Sequence, residues 1–134
     1  MNLERTQKAA ALLSEGRTRG WDQLHCALSA LLPEAIGVIV RAYHEEADTR
    51  QRESLLHLLW EFRDPAAIPT LAEALKDPSD RVWKEALDGL VTLGTPSLSY
   101  LEDARNAQPQ SSVMRQWLDE AIKQIQGNQI ETSE

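Results

Sequence analysis

The chain has 134 residues, 42% of them hydrophobic, which is enough for one core and not two, and too apolar for a disordered chain. Its formal net charge of -7 and lack of a basic cluster argue against nucleic acid, whose binding depends on phosphate neutralisation, and favour a basic protein as partner. No apolar stretch approaches the roughly 20 residues that cross a bilayer, and a single cysteine, Cys26, excludes an internal disulfide and a thiolate zinc site.

Apolar residues recur at steps of three and four throughout, the period of amphipathic helices, and no segment alternates with period two. The spacing predicts a first helix over 3–15, stopped by the Gly16–Gly20 stretch, and a second over 21–32, ended by Pro33. A third covers 34–46, and the Glu46–Asp48 region separates it from a fourth over 49–63. Asp64–Pro65 introduces a helix over 66–76, Asp77–Pro78 one over 80–93, and Gly94–Thr95–Pro96 one over 97–107. Beyond Pro109 the last helix is expected over 111–126. Asp48, Asp64 and Asp80 (or Ser79) are placed to cap helix N-termini. Residues 1–126 are read as one domain, and the polar, aperiodic Gly127–Glu134 as a flexible tail. The N-terminal segment is charged from Glu4, and its apolar run, Ala9–Leu13, is too short for a signal sequence, so a cytoplasmic protein is expected. The lone Cys26 is expected to be small and partly buried.

These eight helices form four hairpins that repeat. Shifting Gln51–Arg63 by 31 residues lays Leu55, Leu58, Leu59 and Phe62 on Ala86, Gly89, Leu90 and Leu93. The same step backward gives Leu24, Ala27, Leu28 and Leu31, and 32 residues forward from the third unit stand Leu118, Ala121, Ile122 and Ile125. One helical hairpin per period is the pattern of an α-solenoid, so the fold class is all-α, four antiparallel hairpins.

The third unit, Asp77–Pro96, resembles HEAT-like repeats, most closely the short bacterial kind first described in phycobilisome lyases. The resemblance rests on Asp77–Pro78, Val82, Ala86, Leu90, Leu93, Gly94 and Pro96. It is close over this unit and looser over the others, and it departs at Trp83, where the pattern usually has Arg. The resemblance implies an interaction scaffold, because most such repeats bind proteins, and it does not imply an activity.

Within the second helix of that unit, Val82, Ala86, Gly89, Leu90 and Leu93 form the core stripe, which leaves Trp83, Leu87 and Val91 on a second face. Their equivalents are Arg52, Leu56 and Trp60 one unit earlier, Trp21, His25 and Ser29 in the first unit, and Arg115, Asp119 and Lys123 in the last. Charge in the last triplet suits a solenoid cap. The apolar second face in the middle is read as packing between repeats or as a partner-binding surface. Trp and Arg are enriched at binding hot spots, so Trp21, Arg52, Leu56, Trp60, Trp83, Leu87 and Arg115 form the candidate interface on a concave helical face. The first position of each triplet alternates Trp21, Arg52, Trp83, Arg115, which predicts an interleaved ladder of indoles and guanidiniums. Trp117, in register with Glu85, is expected to pack under the C-terminal helix.

No catalytic, cofactor or metal site is expected. His25, His44 and His57 are scattered, and His44–Glu45–Glu46 lacks the second histidine of the zinc motif HExxH. HEAT-repeat deoxyhypusine hydroxylases assemble a di-iron site from several His–Glu dyads, whereas this chain has one. Glu53, His57 and Glu61 share a helix edge at four-residue spacing, which is read as solvated pairing. The functional expectation is a non-enzymatic module that binds one basic partner, its oligomeric state open and a monomer expected. Small acidic repeat proteins resembling it serve as bacterial immunity proteins or antitoxins. The alternatives are an adaptor for enzyme assembly of the chromophore-lyase kind and, against the charge, nucleic-acid processing of the kind seen in HEAT-like DNA glycosylases.

Overall fold

A computed structural model describes residues 2–132, with the side chains of all except 16–19 and 128–132. Among the described residues eight α-helices follow in chain order: α1 (Leu3–Arg19), α2 (Trp21–Ser29), α3 (Glu34–Glu45), α4 (Thr49–Glu61), α5 (Ile68–Ala74), α6 (Asp80–Leu93), α7 (Leu98–Asn106) and α8 (Val113–Thr132). Among the described residues there is no strand, and no helix is long and apolar enough to cross a membrane. Consecutive helices pair as four hairpins. The second helices α2, α4, α6 and α8 then pack side by side, and α1 lies on α3 and α5 on α7 in the same way. This is the solenoid the repeat predicts.

Local chemistry sets the boundaries. The Asp48 carboxylate accepts from the Arg50 and Gln51 N–H groups and starts α4. Asp64 accepts from Ala66 N–H and opens a single 3₁₀ turn, Pro65–Ala67, that leads into α5. A second such turn, Thr95–Ser97, leads into α7, so both helices begin later than their prolines suggest. At α6 the cap differs from expectation. Ser79 stands at the N-cap without a side-chain bond, and Asp77 instead accepts from Ser79 N–H, while Asp80 serves the Trp83 indole. Gly94 ends α6 at a φ of 78°, and Arg63, its equivalent one repeat earlier, ends α4 at a φ of 54°, a conformation that favours glycine. The Gly16–Gly20 stretch does not stop α1 at residue 15. The helix runs to Arg19, and the chain breaks only at Gly20, with a φ of 118°. Likewise α8 continues past 126 to Thr132, since a lone Gly127 costs a helix only about 1 kcal/mol and no proline follows. Of the expected tail, Ser133 and Glu134 lie outside the described residues.

A continuous apolar core runs through the stack, from Ala9 and Leu13 through Leu28, Ile39, Leu59 and Leu90 to Leu118 and Ile125. The first hairpin is tied on by Arg5, whose Nε meets Glu34 Oε2 at 3.2 Å and whose Nη2 donates to the carbonyls of Ala30 and Leu32. Glu34 is buried, yet its carboxyl is held below the usual range by its own backbone N–H and, against the cost of burial, by Arg5 and Asn2 N–H.

Candidate functional site

At the α4–α6 junction the Trp60 side chain sits directly against Gly89. A Cβ at position 89 would come within 2.7 Å of Trp60 Cδ1, so only glycine leaves room for that side chain against α6. The Trp60 indole N–H donates to Glu85 Oε1 at 2.9 Å. The same oxygen lies 2.6 Å from His57 Nδ1, while His57 Nε2 lies 2.7 Å from Glu61 Oε1. A carboxylate only accepts, so this geometry asks for two ring N–H donors, the imidazolium. Burial pulls the His57 pKa down, but the hydrogen bonds and charges of Glu85 and Glu61 outweigh it and raise it above the ordinary value. Glu53, the third member of the edge visible in the sequence, reaches Arg81 at 3.4 Å instead. Among the described residues no group of three His, Cys, Asp or Glu is placed to hold a metal ion.

Of the seven residues predicted to form the interface, three are core: Leu56, Leu87 and Trp83. Leu56 is 0% exposed and Leu87 5%. In a solenoid each second helix meets neighbours on both flanks, so an apolar second face is covered by the stack. The ladder of indoles and guanidiniums does not form. Arg52 leaves α4 toward the turn before α6, where it pairs with Asp77, whose side chain is only 3% exposed. It also bonds to the Tyr43 hydroxyl at 3.2 Å, with its guanidinium 5.1 Å from that ring's centre. A buried carboxylate left without a cation is costly, and that need outcompetes stacking on tryptophan. Arg115 donates to the carbonyls of Arg105 and Gln108, closing the open end of α7. Both arginines are structural ties.

The three predicted tryptophans differ. Trp21 is half-buried in a groove of about 320 Å³ with Arg50, Glu53, His57 and Arg81. Trp60 is half-buried and reaches a second groove, while Trp83 is 9% exposed and packs edge-to-face on Trp117, ring centres 5.9 Å apart. Trp117 itself corrects the expectation that it packs under α8. It is 45% exposed, since its contact with Trp83 covers only part of the indole. Cys26 is also exposed rather than partly buried.

The second groove, about 420 Å³, runs between α6 and α8. Its apolar lining includes Trp60, Leu87, Val91 and Trp117, its acids are Asp88 and Glu120, and no cation lines it. Neither acid has an ion-pair partner among the described residues. Burial, helped by the Glu85 charge and opposed by His57, raises the Asp88 pKa. Exposed aromatic surface ringed by unpaired carboxylates suits a positively charged partner group.

The family model for HEAT repeats matches residues 36–123, about two thirds of the chain. The chain belongs to the HEAT-repeat family. HEAT repeats generally mediate protein–protein interaction and are typically non-catalytic scaffolds. No curated protein and no solved structure is significantly similar to this HEAT-repeat chain. The matched span holds α4, α6 and the groove residues of α8 up to Ala121, while Trp21 and Gln124 lie outside it.

Proposed function

We propose that this HEAT-repeat chain is a non-enzymatic cytoplasmic module that binds and sequesters one basic protein, in the manner of a bacterial immunity protein or antitoxin. The observation that carries the reading is the α6–α8 groove, where Trp117 and Trp60 face solvent beside Asp88 and Glu120 with no cation in the lining. A net charge of -7 steers a basic protein toward that face and suppresses acidic competitors. Size favours a single partner, since a standard interface takes about 800 Å² from each side, most of one face of four short hairpins. Within the family, the Asp77–Pro96 stretch supports a kinship with the short bacterial repeats of the phycobilisome-lyase type. Trp21, Trp60 and Trp117 are the proposed anchors, with Trp83 holding Trp117 from behind.

Capture from a lysate of the source organism tests this with three baits: wild type, Trp117→Ala/Glu120→Lys, and Arg41→Ala/Glu45→Ala. Arg41 and Glu45 form an exposed pair on α3, outside the second-helix face. A basic protein retained by the wild type and the α3 variant, and lost by the groove variant with its helical circular dichroism intact, is the expected result. Equal retention by all three moves the interface off the second helices and ends this proposal.

A further inference from the structure

Lys84 stands one turn before Asp88 on α6, a spacing at which opposite charges often pair. It does not take that partner. Its ammonium lies 5.6 Å from the centre of the Trp83 ring and 5.0 Å from that of Trp117, within the range of cation–π attraction to both. The two indoles meet at 82°, so they form a corner rather than a flat wall. One side of the corner is fixed, because Trp83 is nearly buried and its N–H donates to Asp80 Oδ1 at 3.1 Å. The other side, Trp117, is nearly half exposed and shares the α6–α8 groove with the unpaired Asp88 and Glu120.

We propose that this indole corner is a subsite for an arginine side chain of the partner, and that Lys84 fills it in the free chain. The proposal deepens the reading of a basic partner and rests on it. Arginine fits better than lysine for two reasons of shape. A planar guanidinium stacks on an exposed indole, and its fork donates two N–H groups to one carboxylate at the same time, whereas an ammonium is a point charge. Asp88 and Glu120 accept only, have no ion-pair partner among the described residues, and line the groove that Trp117 borders. Lys84 is exposed and held by no ion pair, so the incoming guanidinium displaces it into water. The resident cation keeps the aromatic surface covered until a partner arrives and sets a threshold that a weakly basic protein does not cross.

The test is a titration of the full chain with acetylated, amidated tetra-arginine and tetralysine peptides, following the indole N–H resonances of the four tryptophans. Tetra-arginine is expected to shift Trp117 saturably, leave Trp21 in place, and bind about threefold tighter than tetralysine. Lys84→Ala removes the competing cation and tightens tetra-arginine about threefold, while Asp88→Asn/Glu120→Gln weakens it by at least that factor. All these positions are on the surface, and unchanged circular dichroism confirms the fold of each variant. The proposal is overturned if all four indoles move together with equal response to both peptides, which is attraction to an acidic surface alone. It is also overturned if Lys84→Ala leaves the affinity unchanged. If the subsite fails while the groove variant still loses its captured protein, the basic-partner reading stands without the arginine subsite. Arginine selectivity at Trp117 with no captured basic protein supports the subsite and ends the sequestration of a basic protein.

Discussion

His57 is held by carboxylates on two helices, so its charge belongs to the α4–α6 junction rather than to the histidine alone. Its pKa is raised in the folded chain, so folding is favoured most when the ring is protonated. That contribution is fully present below the unfolded value near 6.5 and is lost as pH rises through the higher folded value. Denaturant unfolding of the wild type between about pH 6 and about pH 9 should therefore show stability falling, and His57→Gln should remove that part of the slope. A slope that survives the substitution assigns the effect to other groups. The four-residue spacing of Glu53, His57 and Glu61 is visible along one helix, and the His57–Glu61 pair follows it. Glu85 is not visible there, because its approach depends on how closely α6 sits on α4. Arg52 departs from its predicted place for a related reason. A helical wheel fixes the angle of a Cα, but a long side chain can travel along the helix axis to a buried carboxylate such as Asp77.

Between helices, the α4–α6 contact rests on a missing side chain. Gly89→Ala adds a methyl group 2.7 Å from the Trp60 ring. Overpacking of this kind costs about 1–3 kcal/mol, against a gain of about 1 kcal/mol in helix propensity. The net expectation is a loss of about 1 kcal/mol, measured by urea denaturation, together with a shifted Trp60 indole resonance as its bond to Glu85 breaks. In a Trp60→Phe background, whose smaller ring lets the methyl fit, the same change should cost less or stabilise. Equal cost in both backgrounds separates Gly89 from the indole. All eight helices are legible because the 31-residue register repeats the same apolar positions, and Asp48 and Asp64 cap as their chemistry dictates. Trp117 is not legible. Its register puts it at the core flank, whereas its indole stays 45% exposed beside Trp83. Leu56 and Leu87 fail as surface residues, since each has a neighbouring repeat to cover it.

Taken whole, the chain is an acidic stack whose α6–α8 flank sets an exposed indole beside two unpaired carboxylates, Asp88 and Glu120. Charge on this scale acts on the rate of encounter, and aromatic anchors act on the lifetime of the complex. Removing Trp117 should therefore raise the dissociation rate, and reversing Glu120 should lower the association rate. The decisive measurement is the association rate of the captured basic partner as salt rises from about 0.01 to about 1 M, where the Debye length shrinks from about 30 to about 3 Å. Sequestration by the acidic face predicts a fall of at least about tenfold, shallower for Glu120→Lys. An association rate that ignores salt and is unchanged in Glu120→Lys would contradict it.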